Sequence, residues 1–141
     1  MCKIGDIIVV DKYIGDDGKK VGRHSFVVLS VDKGEISGVD YDLVTNAISS
    51  IKNSEHKKKI LKRKTNMLIN MDDEDVANSN HKEGFIKAGC LVYFRKKDIN
   101  YFTLGSLTVE TWEALEDLIE ELNDMDLLIE NTYNIDNKVT E

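Results

Sequence analysis

Gly22-Arg23-His24-Ser25-Phe26-Val27-Val28-Leu29-Ser30 decides how the chain is read. From Ser25 to Val31 the residues are apolar or small, one aromatic and three β-branched among them, the strongest strand signal in the sequence. Upstream, Asp6-Ile7-Ile8-Val9-Val10 is a second short apolar run suited to a buried strand. The loop Gly15-Asp16-Asp17-Gly18-Lys19-Lys20 separates the two. Downstream, Asp32-Lys33-Gly34-Glu35 marks a turn. Val39-Asp40-Tyr41-Asp42-Leu43-Val44 then alternates apolar with acidic residues, as a half-buried strand does. Further strands are expected over 46–51, 67–71, 84–94 and 101–104, with a polar loop over 72–82.

The period changes at Thr108. Trp112, Leu115, Leu118, Ile119, Leu122 and Met125 recur at helical spacing. Thr108 is a plausible N-cap, and Glu110 places a carboxylate in the first turn. The opposite face, Glu113, Glu116, Asp117, Glu120 and Glu121, reads as solvated surface. Residues 131–141 are polar and are expected to fray. The fold class is therefore mainly β (α+β). Short, evenly spaced strands predict a small barrel of about six to seven strands, with a C-terminal amphipathic helix. The domain spans 1–123, and an acidic tail follows over 124–141.

The chain has 141 residues, one domain's worth, with 41% hydrophobic and 32% charged residues. It contains no apolar run of roughly 18 residues that could span a membrane. Its N-terminus has no signal-peptide pattern, so a cytoplasmic protein is expected. Cys2 and Cys90 are too few for a disulfide framework, and with three His they offer no zinc-ligand spacing. No metal and no cofactor are expected. The net charge of −7 divides unevenly: residues 1–105 carry +3 and residues 106–141 carry −10. A mildly basic body leaves room for a polyanionic partner.

Three features could carry chemistry. Arg23 and His24 sit where a loop enters a buried strand; a guanidinium fork suits a phosphate, but the pair could equally be structural. Ser49, Ser50 and Lys52 stand at a strand end, where they could hold a phosphate or simply form a turn. Residues 52–64 hold seven basic side chains (Lys52, Lys57, Lys58, Lys59, Lys62, Arg63 and Lys64) against one acidic, Glu55. That stretch reads as a long loop or a short helix, and as either an electrostatic footprint for nucleic acid or a solvated loop. Tyr13, Tyr41, Tyr93 and Phe94 lie outside it and could stack on bases or fill the core.

The order of these segments resembles the MazF/PemK toxin family. The resemblance rests on Gly5-Asp6-Ile7-Ile8-Val9-Val10 and on Gly22-Arg23-His24-Ser25-Phe26-Val27-Val28-Leu29-Ser30, with His24 where the family has Pro. It rests also on Ala47-Ile48-Ser49, and on Leu104-Gly105-Ser106-Leu107 before an amphipathic helix. It covers about residues 4–123. Ser49-Ser50-Ile51-Lys52 is also similar to the hydroxyl–lysine site of the related ToxN/AbiQ ribonucleases. The resemblance implies an SH3-like barrel, usually a homodimer. The implied activity is metal-independent endoribonuclease action on single-stranded RNA, as the toxin of a toxin–antitoxin pair. The cognate antitoxin would be a protein, or an RNA on the ToxN-like side.

Under this reading Arg23 stabilises the phosphorane, Ser49 and Ser50 hold a phosphate oxygen, and the basic stretch binds RNA. His24 titrates near neutrality and could act as base. Neighbours on a strand point to opposite faces, however, so Arg23 and His24 share a site only if both lie in the loop. Two other readings stand beside this one. One is a non-catalytic barrel that binds nucleic acid or protein; the other is a CcdB-like toxin that poisons gyrase by protein contact.

Overall fold

The computed structural model describes residues 2–70 and 83–136. The apolar run at the N-terminus forms β1 (Asp6–Val10). The ribbon strands β2 (Tyr13–Ile14) and β3 (Lys20–Val21) flank the Gly/Asp loop. The strongest strand signal becomes β4 (His24–Ser30). A second ribbon, β5 (Gly34–Ile36) and β6 (Val39–Tyr41), leads into β7 (Leu43–Ser50). The basic stretch contains α1 (Ser54–Leu61), followed by β8 (Asn66–Asn70). Then come β9 (Glu83–Lys87), β10 (Cys90–Phe94) and β11 (Tyr101–Ser106). The chain closes with α2 (Val109–Asp124) and β12 (Ile129–Asn131).

Eight strands form one sheet in the order β11-β1-β4-β7-β10-β12, with β9 also on β7 and β8 on β9. All its pairs are antiparallel except β10–β12. The chain is thus mainly β, as its sequence indicates. Among the described residues the sheet is open, with no strand pairing that closes it into a barrel.

Both sides of the sheet are covered, which is why the β1 run is apolar without alternation. Ile7, Val27, Ile48 and Ile86 pack under Leu115 and Leu122 of α2. On the other face Ile8, Val10, Phe26, Val28, Leu43 and Phe94 form a second core. Phe26 meets Phe94 edge-on at 5.3 Å between ring centroids, a favoured aromatic geometry. The α2 helix begins as expected, with the Thr111 N–H donating to Thr108 Oγ1 at 3.2 Å.

Three expectations change. The strands foreseen over 39–44 and 46–51 are instead β6 and one long β7, because the chain turns at Asp42 and then runs unbroken through buried Thr45 and Asn46. The strand foreseen over 84–94 breaks at Ala88 and Gly89. Register along β7 shifts there, from Ile48↔Ile86 to Thr45↔Val92. Buried Asn46 spans the break, its Nδ2 donating to the Cys90 carbonyl at 2.8 Å and to that of Ala88 at 3.4 Å.

The third change concerns the end of the chain. Residues 129–136 do not fray. Ile135 is fully buried, Arg95 Nη2 donates to its carbonyl at 3.0 Å, and Tyr93 Oη donates to Glu130 at 2.8 Å. The polar loop expected over 72–82 and the last residues, 137–141, lie outside the described residues. No helix among the described residues is long and apolar enough to cross a membrane.

Candidate nucleic-acid interface

His24 opens β4 opposite Val10 of β1, and the Ser25↔Ile48 pair brings it against Ser49 of β7. Residues opposite one another on antiparallel strands share a face. His24 Nε2 and Ser49 Oγ accordingly lie 3.4 Å apart. Tyr13 and Phe26 pack on the imidazole, with ring centroids 5.6 and 5.7 Å away. Burial, and then the charge of Lys87, hold the His24 pKa below its ordinary value of 6.5, while a backbone hydrogen bond with Ile48 pulls the other way. The ring is therefore neutral at physiological pH and able to accept a proton.

Arg23 takes the other direction. Its guanidinium pairs with Asp11 Oδ1 at 3.4 Å and lies 5.7 Å from the centroid of the Phe102 ring. Phe102 pairs with Val9, on the face opposite His24. The ion pair is exposed, so it contributes only tenths of a kcal/mol. Strand alternation thus separates the Arg23–Ser49 pair expected from sequence and joins His24 to Ser49 instead. Ser50 ends β7 opposite Gly84, exposed and turned from Ser49.

Next to the dyad lies a groove of about 380 Å³ between α1 and the β9–β10 region. Ser49 pairs in register with Phe85, a groove wall. Lys87 lies two residues on, on the same face, and also lines the groove. From the basic stretch, Lys59 and Arg63 reach the groove. Lys52, Lys58, Lys62 and Lys64 are exposed beside it, and Lys57 is half-buried. The helix is placed by Asn53, whose side chain accepts from the His56 N–H at 2.9 Å. The Lys52 N–H in turn donates to His56 Nδ1 at 3.0 Å. With Nδ1 accepting, the proton of a neutral His56 sits on Nε2.

On the other wall Cys90 donates its thiol hydrogen to Asp16 Oδ1 at 3.3 Å, and Asn131 Nδ2 donates to the same oxygen at 3.2 Å. Burial and this carboxylate push the Cys90 thiol up to about 12, so it stays protonated and inert. Gly89 forms the seam. Its N–H donates to the Thr65 carbonyl at 3.1 Å, and its own carbonyl accepts from the Ile129 N–H at 2.8 Å.

Among the described residues no group of three or more His, Cys, Asp or Glu could hold a metal ion. Sequence reading missed Lys87, His56 and Asp16. They lie in three separate segments, and only the fold brings them to one groove. Compared with known proteins, the chain matches no family model and no curated protein.

Proposed function

We propose that the chain is an endoribonuclease acting on single-stranded RNA, the toxin of a toxin–antitoxin pair. The observation that carries this reading is the neutral His24–Ser49 pair beside Lys87, at the edge of a groove flanked by a cationic helix. His24 takes the proton of a ribose 2′-OH, and the 2′-oxygen attacks the adjacent phosphorus. Lys87 faces the charge that develops on the phosphorane. Ser49 donates its one hydroxyl hydrogen to a non-bridging oxygen. The 5′-oxygen departs with a proton from water, leaving a 2′,3′-cyclic phosphate and a 5′-hydroxyl. No step calls on a metal ion.

Lys52, Lys57, Lys58, Lys59, Lys62, Arg63 and Lys64 supply the phosphate track. The resemblance of the β1 and β4 segments to MazF/PemK supports the toxin role and a homodimeric, partly open SH3-like barrel. With His24 at the site, Arg23 is no longer the central residue. The deciding experiment incubates the purified protein with a long single-stranded RNA in EDTA and analyses the ends. Cyclic phosphates that vanish in His24→Ala support the proposal. Intact RNA after prolonged incubation sinks it and leaves a non-catalytic binding protein.

A further inference from the structure

The groove beside the dyad has two chemically different walls. On the α1 side Lys59 and Arg63 present cations, and Lys87, whose charge acts on His24, lines the same groove. On the other side Leu127 and Ile129 line it while 40% and 67% exposed, although both are large and apolar. A track for phosphates alone has no use for such side chains, whereas the flat face of a nucleobase does. The volume, about 380 Å³, falls within the roughly 300–1,000 Å³ of small-ligand sites.

We infer that the groove binds one extruded nucleotide, with its phosphate against Lys59, Arg63 and Lys87 and its base against the apolar wall. This rests on the RNA reading above and adds a base preference to it. Asp16 stands on the base side. Its Oδ1 is occupied by Cys90 and Asn131, and a carboxylate can only accept. Uracil's one ring donor, N3–H, is flanked by two carbonyl oxygens that a carboxylate repels, so Asp16 favours bases that offer an exocyclic amino group, adenine, cytosine or guanine. Phe85, paired with Ser49, sets the bound nucleotide next to the dyad, so the scissile phosphate is the one adjoining it.

Calorimetric titration of the full chain with AMP, CMP, GMP, UMP, ribose 5-phosphate and inorganic phosphate tests this without any RNA cleavage. The amino-bearing nucleotides are expected to bind roughly tenfold tighter than UMP or ribose 5-phosphate, about one charge-assisted hydrogen bond's worth. Arg63→Gln, exposed just past the end of α1, should weaken all the ligands alike. Asp16→Asn, its fold checked by circular dichroism, should abolish the discrimination against UMP. Binding no better than that of ribose 5-phosphate, no saturation into the millimolar range, or discrimination that survives Asp16→Asn would each overturn the inference. A protein that cuts RNA with no base preference would also sink the base pocket while sparing the nuclease. Selective nucleotide binding without RNA cleavage would do the reverse.

Discussion

His24 Nε2 faces Ser49 Oγ at 3.4 Å across the β4–β7 pair, while Arg23, one residue earlier, turns to Asp11 and Phe102. One step along the chain therefore exchanges the residue presented to Ser49. His24→Ala should lower RNA cleavage by about a hundredfold to ten-thousandfold, the usual contribution of a positioned base. Arg23→Ala should leave cleavage within a few-fold of the parent, since it removes only an exposed ion pair. Single-turnover rates on one oligonucleotide compare them directly. If Arg23→Ala is the more damaging, the catalytic assignment is wrong.

The acid limb of the pH profile follows from the same residue. Burial and Lys87 depress the His24 pKa below 6.5, so its base form persists at neutrality and is lost as pH falls through that depressed value. kcat/KM for RNA should then decline only on the acid side of 6.5. Lys87→Met removes a positive charge from beside the ring. It should move the acid limb to higher pH and also lower the plateau rate, because the phosphorane loses its cation. A plateau that drops with no movement of the limb would detach Lys87 from His24.

Much of the fold is legible in the sequence, because burial on both faces of β1 and β4 forces apolar runs and α2 carries a clean helical period. The β7 strand is less so. Thr45 and Asn46 interrupt its apolar pattern, yet both are buried, their polarity satisfied by the Val92, Ala88 and Cys90 carbonyls. The site is half legible: His24 and Ser49 stand out as residue types, but their partnership depends on the Ser25↔Ile48 register. Lys87, His56 and Asp16 belong to three separate segments, and no local spacing connects them.

Asn46 gives a stability test of the strand break. Its amide serves two carbonyls, and its Oδ1 has no hydrogen-bond partner among the described residues. Asn46→Ala removes both hydrogen bonds of the buried amide and should cost about 1–3 kcal/mol. Asn46→Asp should cost more, since a carboxylate there faces carbonyl oxygens and must be desolvated or protonated. Chemical denaturation of both variants ranks them. An aspartate variant as stable as the alanine variant would contradict the observed geometry.

Cys90 makes a chemical prediction. Its pKa rises from 9.0 to about 12, which leaves about a thousandfold less thiolate at neutral pH than an unperturbed thiol. Iodoacetamide should alkylate Cys90 in the native protein far more slowly than after unfolding, by peptide mass analysis. Asp16→Asn removes a carboxylate that raises the pKa and should speed the native reaction. Burial, the larger cause, remains, so the gain should be partial.

The C-terminal segment admits two physical roles, an anionic competitor for RNA or a structural strap, and its contacts favour the strap. β12 adds to β10 in parallel. Asn131 and Asn134 both donate through Nδ2 to the Ile14 carbonyl, at 3.1 and 3.0 Å. Ile135 is fully buried, worth about 1.5–3 kcal/mol by itself, and the Arg95 and Glu130 contacts add to it. Ending the chain after Asn123 also removes Leu127 and Ile129 from the groove wall. The truncated protein should lose at least about 3 kcal/mol, lowering its Tm by roughly ten degrees. Its RNA affinity at low salt should not rise. A competitor tail demands the opposite pattern, tighter RNA binding at low salt, a gain that fades as salt screens the charges, and an unchanged Tm. Thermal melts and salt-dependent RNA titrations of the same two proteins separate these outcomes.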